Sequence, residues 1–329
     1  MLIPERRTFT TESHVDAARL VRRWEQHNAD SLIELACEVP GGLHFRAREV
    51  NVNLEQVRFA LVSGTAHSVA RDEELIAARP GEAIAVYAAL RGEALLECDG
   101  RRQVVRPGQL LVCDVDRPFL RGFGHGLMEF AVRIPRRTFT DYTGLEGLVS
   151  PLVIDSDANQ FARALMRLVG RAVNAAVPTP VDEQAVLELV SVLATPGETP
   201  ASAAHRAAAR IYVDDHLTDP GLSAGDVAHG TGLSERHLSR LFAQAGTSVP
   251  RHVLARRLDL AYALLAHGDA QRTSDAAQRC GFTSTAYFSQ SFKQRFAVTA
   301  GEVLRLGRGV ERGSQFSQET LPAASRGRR

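Results

Sequence analysis

One pattern occurs twice in the last third of the chain, and few folds accommodate it. Asp226-x-Ala228-x-x-x-Gly232-Leu233 recurs 49 residues later as Asp275-x-Ala277-x-x-x-Gly281-Phe282. One inserted residue then moves the offset to 50, and Ser234, Leu238, Ser239 and Phe242 match Ser284, Phe288, Ser289 and Phe292. Each copy reads as a short helix, a glycine turn and a second helix. Ala228 and Ala277 are small enough to let two helices approach, and Gly232 and Gly281 supply the positive φ such a turn needs. The pattern predicts a helix-turn-helix, present twice.

In the second copy, Ser284 is placed to cap a helix whose apolar stripe is Phe288, Phe292 and Phe296. Its other face carries Thr285, Ser289, Gln290, Lys293 and Arg295 and no acid. Solvated helix faces usually mix Glu with Lys, whereas hydroxyls, amides and cations suit base edges and phosphates. Tyr287 reads as a core residue. Between the copies, Val249 to His267 is amphipathic; as a helix of 19 residues it spans roughly 28 Å at ~1.5 Å per residue. Successive major-groove entries on one DNA face lie about 34 Å apart, so such a strut suits two reading helices.

Gly281, Phe282, Tyr287, Phe288, Ser289, Phe292 and Lys293, with the upstream repeat and the connecting helix, resemble the DNA-binding domain of the AraC/XylS family of bacterial transcription regulators. The resemblance covers about Ala204 to Leu306. It implies that Arg236, Ser239, Arg240 and Gln244 of the first motif lie on the DNA face, Arg236, Ser239 and Arg240 as base readers. In the second motif Thr285, Ala286, Ser289 and Gln290 take the corresponding places; Lys293 and Arg295 are expected at phosphates, with plain solvated charge the alternative for Arg295. Ala286 offers only a thymine-methyl contact, so the first motif is expected to carry more specificity. The family continues with Gly, Ser-Pro and Tyr-Arg where this chain has Ala297, Thr299-Ala300 and Val303-Leu304. A less sharply started last helix is therefore expected.

Charge supports a division of labour. Residues 201–329 hold 17 Lys+Arg against 11 Asp+Glu, whereas residues 1–200 hold 22 against 27. A basic C-terminal part on an acidic N-terminal part fits a nucleic-acid reader joined to a different module. Cys37, Cys98, Cys113 and Cys280 are scattered without metal-ligand spacing, which predicts free thiols in a reducing, cytoplasmic setting. Residues Met1 to Thr11 lack the apolar core of a signal peptide, and no apolar run reaches ~20 residues.

The N-terminal part opens with an amphipathic helix over Val15 to Trp24, where Trp24 reads as packing. Short β-prone runs follow: Val57–Val62, Ala83–Leu90, Ala94–Cys98, Gln103–Val105, Gln109–Asp114 and Leu127–Val132, with hairpin turns at Asp99-Gly100 and Pro107-Gly108. They predict a sandwich or barrel of jelly-roll type. The segment Gly92 to Pro118 is similar to the cupin-type sensor domain of many AraC/XylS regulators, a likeness covering roughly residues 30–135. Catalytic cupins hold a metal on a His-x-His pair with a later Glu and His. Here His44, His67 and His125 are isolated, so no metal, no cofactor and no enzyme activity are expected.

The fold class expected is α+β: an N-terminal cupin-like jelly roll with flanking helices, and a C-terminal all-α domain with two helix-turn-helix motifs on a linker helix. The domains expected are 1–195 for effector binding and dimerisation, a 196–203 linker, 204–306 for DNA binding, and a disordered basic tail at 307–329. Candidate walls of an effector pocket are Phe59, Tyr87, Leu95, Arg117, Phe119, Met128 and Phe130. Arg91, Arg117 and Arg121, near turns, are expected either to meet an acidic effector or to be solvated, with Arg117 before Pro118 the favoured contact. Helices at Ala158–Asn174 and Val181–Leu193 are candidates for self-association. The function expected is an effector-controlled, sequence-specific regulator, an activator by resemblance. Its partners would be promoter DNA, RNA polymerase, a small molecule and a second copy, with no membrane. The alternative is a ligand-independent regulator whose N-terminal domain only dimerises.

Overall fold

Alternation of inward and outward side chains builds the first part of the protein. The computed structural model describes residues 5–11, 17–41, 44–174, 180–197 and 201–307. It divides into two units, Met1–Ile211 and Tyr212–Arg329. Val15, Asp16, residues 198–200 of the expected linker and the expected tail beyond Gly307 lie outside the described residues.

The first unit begins with β1 (Glu5–Thr10), α1 (Ala17–Ser31), β2 (Ala36–Glu38), β3 (Ala47–Asn53), β4 (Arg58–Gly64), β5 (His67–Arg71) and α2 (Glu73–Ala78). It continues with β6 (Ala83–Arg91), β7 (Ala94–Cys98), β8 (Arg101–Val105), β9 (Gln109–Asp114), β10 (Phe119–Phe123) and β11 (Leu127–Pro135). Then come α3 (Arg136–Thr143), β12 (Leu152–Asp155), α4 (Gln160–Asn174) and α5 (Glu183–Ala194). Two antiparallel sheets form, in the orders β1-β3-β4-β11-β6-β9-β12 and β2-β5-β10-β7-β8. The Asp99-Gly100 turn has φ of 51° and 70°, the paired positive values of a two-residue hairpin turn closing β7 on β8.

The larger sheet is buried on both faces. Val52, Phe59, Ile84, Val86, Val112, Phe130 and Val132 pack under α3, α4 and α5. The intervening Ala60, Val62, Ala85, Tyr87, Leu111 and Ala131 face the smaller sheet and α1. This explains why Ala83–Leu90 reads as one unbroken apolar run. Each fully buried Val, Leu, Ile or Phe contributes on the order of 1.5–3 kcal/mol by leaving water. Trp24 packs in the inner core, edge-on to Phe45 at 5.8 Å. α5 is buried almost all round, so the candidate helix Val181–Leu193 offers no free face for self-association.

The division between the units falls inside α6 (Ala201–Asp215). The first part of this helix belongs to unit one: Arg206 binds Glu188 at 2.8 Å and Arg210 binds Asp182 at 3.0 Å. Ala201, Ser202 and Ala203, expected in the linker, are helical. The second unit continues with α7 (Ala224–Gly230), α8 (Glu235–Gln244), α9 (Val249–Ala266), α10 (Thr273–Arg279) and α11 (Thr285–Phe296). A last helical segment covers 300–307. It starts sharply, against expectation: Glu302 accepts from the Thr299 backbone N–H at 2.7 Å, and the Thr299 hydroxyl accepts from the Glu302 N–H at 3.3 Å. Thr299 thus supplies the reciprocal cap of a helix start.

Candidate nucleic-acid interface and interior cavity

The two turns are built alike. The Leu233 N–H bonds the Ala228 carbonyl at 2.9 Å, and the Phe282 N–H bonds the Ala277 carbonyl at 3.0 Å. Gly232 has φ 70° and Gly281 φ 79°. At Gly281 a Cβ would also stand 3.0 Å from the Thr218 carbonyl oxygen. Ser234 caps α8 by accepting from the His237 N–H, and Ser284 caps α11 by accepting from Tyr287.

Capping and burial together aim the outer faces. Leu238, Leu241 and Phe242 seat α8; Phe288, Ser291 and Phe292 seat α11. Arg236, Ser239, Arg240 and Gln244 are left exposed on α8, and Thr285, Ala286, Ser289, Gln290 and Lys293 on α11. An Arg240 Nη2–H points at Nδ1 of His237, 2.8 Å away, which orients its guanidinium. α9 joins the motifs with 18 residues, roughly 27 Å at ~1.5 Å per residue.

Two residues differ from expectation. Tyr287 is 53% exposed rather than core, because Phe288 and Phe292, with Ser291, fill the seat of α11. Arg295 binds the buried Asp259 of α9 through Nε at 2.8 Å and Nη2 at 3.1 Å. That bidentate pair fastens α11 to the linker helix and takes Arg295 away from the phosphate role.

The expected effector walls do not meet. Phe59 and Phe130 lie on the helix-facing side of the larger sheet and Tyr87 on the inner side. Side chains on one strand alternate between faces, so these three cannot line one pocket. Met128 is half-buried in the Phe130 phase of β11, and Leu95 is 37% exposed. Phe119 is in the inner core. Arg117 forms a surface pair with Asp99 at 3.1 Å, so it does not face an effector.

The inner side holds a cavity of ≈30 Å³ lined by residues that include Trp24, Asn28, His67, Tyr87, Arg121 and Glu129. Arg121 on β10 reaches across the sandwich to Glu129 on β11, Nη1 to Oε1 at 2.9 Å and Nη2 to Oε2 at 2.6 Å. Its guanidinium carbon lies 3.9 Å from the centroid of the Tyr87 ring. The Trp24 Nε1, His67 Nε2 and Arg121 Nε atoms are buried without a hydrogen-bond partner. The sequence singles out Trp24, His67 and Arg121 only separately and gives no sign that they meet Glu129, although Phe119-x-Arg121-x-Phe123 and Leu127-x-Glu129-x-Ala131 place both charges in the inward phase. His44 and His125 are exposed. Among the described residues no group of three His, Cys, Asp or Glu is arranged to hold a metal ion, and no helix is long and apolar enough to cross a membrane.

Two capped helix-turn-helix units on a connecting helix, in a chain that also carries a jelly-roll sandwich, define a two-domain DNA-binding regulator. Comparison with known proteins narrows this. A profile described as an AraC-binding-like domain matches residues 24–214, more than half of the chain, and one described as a helix-turn-helix domain matches residues 227–306. The protein belongs to the AraC family, a family of transcription regulators and not of enzymes.

Among its relatives, the transcriptional activator NphR of Rhodococcus sp is 25% identical over 284 residues, 78% of this chain and 80% of NphR. The transcriptional activator RhrA of Rhizobium meliloti (strain 1021) is 34% identical over 113 residues, 34% of this chain and 35% of RhrA. The chain thus spans about a third of RhrA in that match. The crystal structure of the AraC-like transcriptional activator CuxR aligns with a TM-score of 0.49 at 17% identity, over 79% of this chain and 96% of that one.

Proposed function

We propose that the protein is a sequence-specific transcriptional activator that reads promoter DNA through α8 and α11 and is controlled by a small molecule held inside the jelly roll. The observation that carries the DNA reading is the exposed, acid-poor face of each capped second helix. Base reading falls to Arg236, Ser239 and Arg240, with Gln244 on the same DNA face, and to Thr285, Ala286, Ser289 and Gln290, with Lys293 at a phosphate. Two relatives described as activators support the direction of the effect. A homodimer, contact with RNA polymerase and a cytoplasmic location complete the proposal.

The test is occupancy across a bacterial genome for the wild type beside Arg240→Ala. Discrete sites for the wild type, and their loss in the variant while bulk DNA affinity persists, are expected. Absence of discrete wild-type sites would refute the reading. The small volume of the cavity favours one second reading, a regulator whose first unit only dimerises and whose occupancy ignores every small molecule.

A further inference from the structure

We propose that the effector is an uncharged hydroxyl compound, a small alcohol or phenol with an apolar body, whose hydroxyl sits among Trp24, His67 and Arg121. This rests on the effector reading given above and names the chemistry of that site.

The charge comes first. Arg121 is the cavity's cation, and each of its terminal nitrogens gives one hydrogen to the Glu129 carboxylate, which neutralises it. The pair leaves no net charge for an ionic ligand to balance. A carboxylate or an ammonium group entering here would lose its hydration without a free counter-charge.

The hydrogen-bonding atoms come next. Trp24, His67 and Arg121 are 2%, 3% and 2% exposed, and each holds one nitrogen without a partner. The indole Nε1 and the guanidinium Nε can only donate. The His67 Nδ1 lies 2.7 Å from the Thr65 carbonyl oxygen; a carbonyl only accepts, so Nδ1 carries the proton. The Nε2 of the neutral ring is then an acceptor. Burial lowers the affinity of His67 for a second proton, outweighing the Thr65 bond and the nearby Glu129. Among the lining residues, the atoms left without a partner are therefore two donors and one acceptor. A hydroxyl group offers the complement, two lone pairs and one proton.

Apart from Asn28, whose amide donates to the Trp24 carbonyl at 3.0 Å, the remaining wall is apolar or aromatic, including Val62, Val69, Phe123, Leu127 and Ala131. At ≈30 Å³ the cavity lies well below the ~300 Å³ at which ordinary ligand pockets begin. The ligand's body therefore enters only as Leu32, Ile33 and Leu35, between α1 and β2, give way. A bulky ligand is excluded.

Trp24 is the single tryptophan of the chain, so its emission in the full-length protein reports on the cavity. The probes are phenol and cyclohexanol, which carry the hydroxyl; toluene, which lacks it; and benzoate, which is charged. A phenol is uncharged near neutral pH, its pKa being about 10 as for tyrosine. Saturable emission changes are expected with phenol or cyclohexanol, and the comparison of the two separates aromatic from aliphatic bodies. Phenol should bind about tenfold or more tightly than toluene, since toluene leaves the buried polar atoms unmatched. Benzoate should bind no better than toluene.

His67→Phe keeps the ring and removes the acceptor, and should shrink the phenol-to-toluene ratio toward one. Should that variant fail to fold, the wild-type ratio decides. Toluene or benzoate binding as tightly as phenol would overturn the hydroxyl assignment and leave the effector reading standing. No emission change with any probe would overturn both, and the cavity is then a water site.

Discussion

Ser289 shows how a helix narrows what one of its own residues can read. Its hydroxyl donates to the Thr285 carbonyl at 2.9 Å, so the proton is committed, and in the proposed base-reading role Ser289 would act as an acceptor, suited to an exocyclic amine of adenine or cytosine. Arg240, oriented by His237, would in the proposed role offer paired donors to guanine. Replacing it with Ala should cost about 1–3 kcal/mol of discrimination, measured as the ratio of specific to random DNA affinity. Lys293 is the only lysine in the chain; Lys293→Ala should weaken both affinities alike and reduce the salt slope by about one. An unchanged ratio for Arg240→Ala would refute the assignment of α8. In the sandwich, Glu129→Ala would strand the buried Arg121 charge. That should destabilise the first unit by about 3–5 kcal/mol. Urea unfolding checks it, and Arg121→Met with Glu129→Leu should recover most of the loss.

Helix ends and helix ties decide how the reading elements are held. Ala297 ends α11 with φ 58°, its N–H on the Lys293 carbonyl. This left-handed conformation costs an L-residue about 1–2 kcal/mol. Ala297→Gly should therefore raise the stability of the second unit by about 0.5–1 kcal/mol, seen as a higher thermal midpoint without loss of DNA binding. The apolar seats of α8 and α11 were legible from spacing: Leu238 with Phe242, and Phe288 with Phe292, recur at i, i+4. The tie between Arg295 and Asp259 was not, because the partners are 36 residues apart. Spacing along α11 reports the face a side chain shares but not what a neighbouring helix offers it. Tyr287 was misread for the related reason that its place on α11 says nothing of how fully Phe288, Ser291 and Phe292 fill the seat.

For the whole molecule, the test is the chain truncated to residues 201–329. It keeps α6 and with it the Arg256 to Asp214 pair at 2.9 Å, which belongs wholly to the second unit. It should occupy the sites of the full protein, with lower affinity if a second copy contributes half-sites. Occupancy mapping of both chains checks this. Different sites for the two chains would place part of the code in the first unit. Truncation also bares the face of α6 that carries Ala207, buried in the first unit's core, so modest aggregation of the fragment is expected.

Residue order alone determined the fold class, the repeated helix-turn-helix, its glycine turns and caps, and the outward set from Arg236 to Lys293. These are local signals, set by the 3.6-residue period of a helix and the φ that a turn demands. Tertiary structure decided the interior. A sheet buried on both faces hides its alternation, because both phases are apolar. Thus Phe59, Tyr87 and Phe130 looked alike in sequence, yet they lie on opposite sides of one sheet. The meeting of Arg121 with Glu129 depends on which strands oppose each other across the sandwich. No periodicity along a single strand encodes that.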